Sequence, residues 1–206
     1  MISQCDDTSG NGQNASQSTD DFKPIFTTLG DETAGLFSSD DSLNFTIGDA
    51  IEQPFSIFLS ASFFPSRGSY ILGGETSPTN NYFYFDMVAE QIFIAIGGVT
   101  FIISSIQKSE IEKMFNGQAS VFEFVIDGAN SQVIVDDGES FDSSTGNLGS
   151  ASIDGVWRLG NYGAGNTGQA GKYGDFAIAN GTLSSDNRDR IIGCLAHRIV
   201  TGKHHR

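Results

Sequence analysis

The sequence predicts an all-β protein, an antiparallel β-sandwich with one short helix near its C-terminal end. Three observations predict it. The chain carries 25 Gly against 4 Pro with 38% hydrophobic residues, a composition suited to many short strands joined by tight turns. In its clearest runs apolar and polar residues alternate with a period of two, and the 3.6-residue period of an amphipathic helix is sustained only near the end of the chain. There are also 17 Phe, a residue favoured on pleated, half-buried surfaces, which assigns most of them to the space between two sheets. At 206 residues the chain suits one sizeable core, and no break in composition divides it, so residues 1–206 read as a single domain.

Each element has a local reason. In the polar opening segment, residues 1–24, Ser9-Gly10-Asn11-Gly12 forms turns, because its glycines accept positive φ and its side chains bond their own backbone. Residues 33–48 lead into residues 54–64, where Phe55, Ile57, Leu59, Ala61 and Phe63 alternate with Ser56, Phe58, Ser60, Ser62 and Phe64, the pattern of a central strand with one strongly apolar face. Residues 69–73, 82–88 and 91–103 follow as strands, with a short turn at Ala89-Glu90. Residues 107–115 form either one helical turn, with Ser109 as its cap, or a connecting loop. Residues 121–139 make two strands around the hairpin signal Asp127-Gly128, and Asp137-Gly138 repeats the device at the next turn.

The stretch 156–199 organises the rest. It reads as a strand containing Val156, Trp157 and Leu159, a loop over 160–171 with five glycines, a strand over 173–179, a turn and a helix over 184–199. Ser184 suits the N-cap, Asp186 places negative charge at the positive end of the helix dipole, and Ile191, Ile192, Leu195 and Ile199 share one face.

Charge narrows the partners. A formal net charge of −14 and a pI near 4.3 oppose binding to nucleic acid or to an anionic membrane surface. No apolar stretch is long enough to span a bilayer, and the first residues lack the basic and apolar regions of a secretory signal, so membrane insertion is not expected. The 2 cysteines, Cys5 and Cys194, make neither a disulfide framework nor a zinc site, and they read as buried, reduced thiols.

The run GKYGDFAIANGTLSSDNRDRIIGCLAHR, residues 171–198, resembles the closing signature of laminin G-like, concanavalin A-like jelly-roll domains. Asp7, Ser9, Gly10, Asn11, Gly12, Asn14, Ala15 and Gln17, closed by Lys23-Pro24, match the opening segment of the same family, with Cys5 near the position of its Trp. The hairpin around Asp127-Gly128 also resembles the family's, and the likeness runs over nearly the whole chain. Three departures stand out: Ile178 replaces a frequent Glu, Cys194 a Tyr, and Ser38 or Ser39 a Gly. The resemblance implies a concanavalin A-like jelly roll with an ordered residue 1–24 segment, and first and last elements near enough for Cys5 and Cys194 to be bridged.

The fold hosts lectins, glucanases and structural modules, so function must be read from sites. Related glucanases place carboxylates on alternate residues of one strand, with the pair of a retaining enzyme ~5 Å apart. Here the nearest match has Asp86 and Glu90 but Tyr84 at the nucleophile position, while Glu123 and Asp127 sit on another strand and its turn. No Gly-x-Ser-x-Gly elbow occurs, and the His residues, His197, His204 and His205, all lie in the last helix and tail, which argues against nucleophilic catalysis. By the resemblance Asp7 and Asp175 are calcium ligands with Asn11 or Asn14 assisting; the alternative is that Asp7 makes an Asx-turn and Asp175 caps a sheet edge. Sugar binding points to Trp157, with Arg158 beside it, and to Asn161, Tyr162, Asn166 and Gln169 along the Gly-rich loop, Trp157 being alternatively core beneath the last helix. The resemblance to copies in phage structural and secreted bacterial proteins implies a non-enzymatic recognition or assembly module. The expected setting is a virion-surface or extracellular decoration or fibre domain, homo-oligomeric or within a larger assembly. Its partners would be a glycan, a host-surface receptor or other virion subunits. A degenerate glucanase and a purely architectural capsid or tail subunit are the alternatives.

Overall fold

The computed structural model describes residues 1–9, 11–30, 32–64, 69–74, 80–86, 88–89, 91–103, 119–135, 139–142, 147–161 and 168–201. Among them two antiparallel sheets face each other. One has the order β1 (Gln4–Cys5), β2 (Ala15–Ser16), β5 (Leu43–Ile51), β14 (Ile153–Leu159), β7 (Ser69–Gly74), β8 (Tyr82–Asp86), β9 (Gln91–Ile96) and β10 (Val99–Ile103), eight strands in all. The other has seven: β13 (Glu139–Asp142), β12 (Gln132–Val135), β11 (Ser120–Ile126), β6 (Phe55–Phe63), β15 (Gly171–Asn180), β4 (Glu32–Phe37) and β3 (Ile25–Leu29). A helix, α1 (Ser185–Thr201), lies against β11 and β6 on the outside of the seven-stranded sheet.

Aromatic rings fill the space between the sheets. Phe63 packs on Phe122 with ring centroids 4.9 Å apart and edge-on to Phe85 at 6.0 Å, Phe83 meets Phe124 at 5.0 Å, and Phe45 meets Phe176 at 5.2 Å. Trp157 is fully buried in this layer against Phe83, its Nε1 donating to the Asp154 carbonyl at 2.9 Å. It therefore lies between the sheets, not beneath the helix, because β14 belongs to the sheet that α1 does not touch.

Strand β6 is buried at all nine positions, with Phe55, Ile57, Leu59, Ala61 and Phe63 facing the main core. Its other face is covered by α1. Phe58 joins Leu29, Ala34, Val121, Ile192 and Leu195 in a second apolar cluster under the helix. The helix begins as the sequence predicts, with Ser184 Oγ accepting the Asn187 amide at 3.3 Å. Glu123 of β11 is sealed beneath its first turns, accepting from Ser56 Oγ at 3.0 Å, with Arg188 Nε 3.2 Å from its other oxygen.

Several elements differ from expectation. Residues 91–103 are two strands, because Gly97 and Gly98 take φ of 60° and 81° and turn the chain back on itself. Strand β8 stops at Asp86, whose Oδ1 accepts the amides of Val88 and Ala89 at 2.9 Å each and so starts the turn. The 33–48 stretch, by contrast, crosses the sandwich as the resemblance implies, β4 in one sheet and β5 in the other, around a turn in which Ser38 N donates to Asp41 Oδ2 at 2.6 Å. Both cysteines are unpaired and exposed, not buried. Cys5 sits on an edge strand of the eight-stranded sheet and Cys194 on the helix over the middle of the other, so the two chain ends are not neighbours in the way the bridge requires. The helix-or-loop stretch 107–115, the Asp137-Gly138 turn and the side chains of His197 and Ile199 lie outside the described residues, as do His204 and His205.

Burial pushes the Glu123 carboxyl above its ordinary 4.5, more than Arg188 and Ser56 pull it down. A carboxyl raised on folding stabilises the protein fully below 4.5 and loses that contribution as pH rises through its folded value. Paired urea melts of wild type and Glu123→Gln across pH 4 to 8 are expected to show the wild type losing ground to the variant as pH rises. A pH-independent difference would mean that Glu123 ionises as freely as in the unfolded chain.

Candidate functional site

On β8 and β9 the side chains of Phe83, Phe85, Ile92 and Ile94 enter the core, which turns Tyr82, Tyr84 and Phe93 to the outer face of the eight-stranded sheet. Register then assembles a row. Tyr70 pairs with Tyr84, Tyr84 with Phe93 and Phe93 with Ile102, one residue on each of four adjacent strands. The rings touch: Tyr70 to Tyr84 at 4.8 Å, Tyr70 edge-on to Tyr82 at 5.6 Å, and Tyr84 to Phe93 at 5.7 Å. All four aromatic residues are half-buried. Burial, and secondarily the charge of Asp86, push the Tyr84 phenol above its ordinary value, so its hydroxyl stays a donor near neutrality.

A second row lies one pleat along the same face. It runs Asn44, Arg158, Gly73, Tyr82, Ala95, Thr100. Tyr82 thus borders both rows and stands opposite a glycine.

The ends of the Gly-rich loop are fastened beside these rows. Gly160 N donates to the Ile71 carbonyl at 2.7 Å, Gln169 N to the Tyr70 carbonyl at 2.8 Å, and Gly168 N to the Ser39 carbonyl at 2.8 Å. Glycine is required at 168, where a Cβ would collide with the Gly160 carbonyl and stand 2.8 Å from that of Ser39.

Of the five sugar-binding candidates, three are placed as scaffold instead of ligand surface. Trp157 is core. Gln169 is fully buried, its Nε2 donating to the carbonyls of Phe64 and Ala170 at 2.7 and 2.8 Å, while its own carbonyl accepts from the Tyr173 hydroxyl at 2.8 Å. Asn161 is 4% exposed and donates from Nδ2 to the Ser39 carbonyl at 3.1 Å. Buried carbonyls need partners, and the side-chain amides of Asn161 and Gln169 serve those of Ser39, Phe64 and Ala170. Tyr162 and Asn166 lie outside the described residues.

Asp7 organises the opening loop. Its Oδ1 accepts the Ser9 amide at 2.7 Å, its Oδ2 the Gln13 amide at 3.0 Å, and its own amide donates to Asn14 Oδ1 at 2.8 Å. Asn11 bonds Ser9 Oγ through both its backbone and its side-chain nitrogen, at 3.3 and 2.9 Å. Asp175 is exposed on β15 in the other sheet, its amide donating to Ser60 Oγ at 2.7 Å. Among the described residues no group of three or more His, Cys, Asp or Glu is arranged to hold a metal. The Asp7 carboxylate thus serves its own loop, the Asx-turn arrangement weighed from the sequence.

The carboxylates weighed for hydrolysis do not gather on one strand among the described residues. Asp86 holds its turn, and Glu90 lies outside the described residues. Glu123 is enclosed under α1, and Asp127 borders a cavity of ≈ 30 Å³ that also touches Ser56 and Arg188, room for about one water.

No family model matches the sequence, and no curated protein does. Solved structures do. Domain 4 of AbnA, a GH43 extracellular arabinanase from Geobacillus stearothermophilus, in complex with arabinotriose, aligns over 84% of this chain and 81% of its own at TM-score 0.58 and 12% identity. The binding domain of Paraclostridial Mosquitocidal Protein 1 aligns over 92% of this chain at TM-score 0.70 and 11% identity. The botulinum neurotoxin serotype D ligand-binding domain, in complex with N-acetylneuraminic acid, aligns over 91% at TM-score 0.63 and 14% identity. This chain spans about half of each toxin domain, 49% and 47%. At such identities the likeness establishes the β-sandwich fold.

Hydrogen bonds from Ser9, Gln13 and Asn11 hold the Asp7 carboxyl down at about 2. A lowered carboxyl supports its loop fully above the ordinary 3.8 and loses that support as pH falls through about 2. The Ser9 and Gln13 amide resonances are expected to titrate together with a midpoint about 2, and to stay flat in Asp7→Asn. A midpoint near 3.8 would show that the loop does not depend on this carboxylate.

Proposed function

We propose that this chain is a non-enzymatic glycan-recognition module whose ligand lies across Tyr70, Tyr82, Tyr84 and Phe93 on the outer face of the eight-stranded sheet. The observation that carries it is the continuous row of half-buried rings on a face the core does not use. Tyrosine offers a sugar both an apolar plate for its C–H surface and a hydroxyl for its polar edge. Tyr162 and Asn166, candidates from the sequence, belong to the loop whose two described ends are tied beside that row. The arabinotriose on the arabinanase domain and the N-acetylneuraminic acid on a toxin domain twice as long agree with this use of the fold. The commitment of Asp86 to its own turn and of Glu123 to Arg188 favours binding over hydrolysis.

The resemblance of residues 7–24 and 177–198 to copies in phage structural proteins supports a setting on a virion surface or outside the cell, as a decoration or fibre domain. Assembly has an observation of its own. Phe22, Ile25 and Phe26 are 41, 48 and 64% exposed on or beside β3, the edge strand of the seven-stranded sheet, an apolar rim suited to another subunit. A calcium ion at Asp7, Asn11 and Asp175 is a separate reading, supported by the resemblance.

A glycan array probed with the purified chain, in calcium and again in chelator, tests these readings. Binding is expected, with Tyr84→Ala weakening it roughly tenfold or more while the melting temperature changes little. Loss of binding in chelator would support the calcium site. No binding in either condition from a chain that forms a defined oligomer would overturn the glycan reading in favour of the architectural one.

A further inference from the structure

We infer that the ligand of this face is an acidic sugar, held through its carboxylate or sulfate by Arg158 while its ring lies over Gly73 against Tyr82. The inference rests on the glycan-recognition reading and adds the chemical class of the sugar.

Three placements carry it. The strands of the eight-stranded sheet hold one Lys or Arg among their described residues, Arg158, and register sets it on the outer face in the row with Tyr82. In a chain of net charge −14 an anion is repelled from most of the surface, so an acidic ligand needs a cation at contact range, inside a Debye length of ~8 Å. Between Arg158 and Tyr82 stands Gly73, which contributes only backbone, so cation and ring are two strand spacings apart, roughly 10 Å. A pyranose bearing an anionic group fits that interval. On the far side of Arg158 its partner in the register is Asn44, whose Oδ1 is buried with no hydrogen-bond partner. A buried acceptor left unmatched is costly, and turning the Asn44 amide outward to accept from a sugar hydroxyl would remove that cost. The guanidinium has five donors in a planar fork, enough to serve a carboxylate in addition to a neighbour within the protein.

The test is titration calorimetry of the whole chain with three pairs of probes: methyl glucuronide against methyl glucoside, methyl sialoside against methyl galactoside, and a sulfated against an unsulfated N-acetyllactosamine. At least one acidic probe is expected to bind tenfold or more tightly than its neutral partner, and the preferred pair tells carboxylate from sulfate. Arg158→Gln should erase that preference and leave weak neutral binding, with Arg158→Lys intermediate. Should Arg158→Gln fail to fold, the Arg158 Nε–H resonance of the wild type serves instead, and it must shift on adding the acidic probe and not the neutral one. Equal or tighter binding of the neutral sugars, still lost in Tyr84→Ala, would overturn the acidic-sugar inference and leave the glycan face standing. Binding of none of the probes, together with a blank array, would overturn both.

Discussion

Strand β6 has no exposed face, and this constraint orders everything around it. A strand buried at nine consecutive positions needs apolar cover on both sides. The eight-stranded sheet supplies one side and helix α1 the other. The serines on its outer face are small enough to let the helix approach, and they bond what they meet, Ser56 to Glu123 and Ser60 to the Asp175 amide. The helix is thus a third layer of the fold, pinned by Ile192 and Leu195 over Phe58 and by Arg188 over an enclosed carboxylate.

The aromatic residues divide by chemistry. Most of the described phenylalanines occupy the interior, packed among other rings and aliphatic side chains. Of the 5 tyrosines, Tyr70, Tyr82 and Tyr84 lie together on one outer face, and Tyr173, fully enclosed, spends its hydroxyl on the Gln169 carbonyl. A hydroxyl in a half-buried ring is useful where solvent or a ligand arrives. The outer face of the eight-stranded sheet therefore differs in kind from the outer face of its partner, where Phe58 and Val121 are roofed by a helix.

Much of the fold was legible because it rests on local rules. The period-two alternation of residues 54–64, the Asp127-Gly128 turn and the Ser184 cap each follow from neighbouring residues alone. The site was less legible. Trp157, Asn161 and Gln169 have the chemistry of a sugar site, and their identity does not reveal that alternation turns Trp157 inward or that backbone carbonyls claim both side-chain amides. Tyr84 was conspicuous only as a missing nucleophile. The signal for its row was present in Tyr82-Phe83-Tyr84-Phe85, aromatic on both faces of one strand, but the row needs Tyr70 and Phe93 beside it, and cross-strand register is not written in any one segment. Apolar residues on both sides mask the Gly97-Gly98 turn in the sequence.

The Gly-rich loop leaves the sheet at Gly160 and returns at Gln169, and those residues bond the adjacent carbonyls of Ile71 and Tyr70. Its two ends are thus clamped to neighbouring points of one strand. Lengthening a loop whose ends are already fixed costs little, about 0.6 kcal/mol for each doubling. Change between the clamps, other than at Asn161 and Gly168, leaves these fastening bonds in place. A protein family built on this frame would be free to change what it recognises here while its sandwich stayed the same, much as an antibody domain varies its loops over a fixed scaffold.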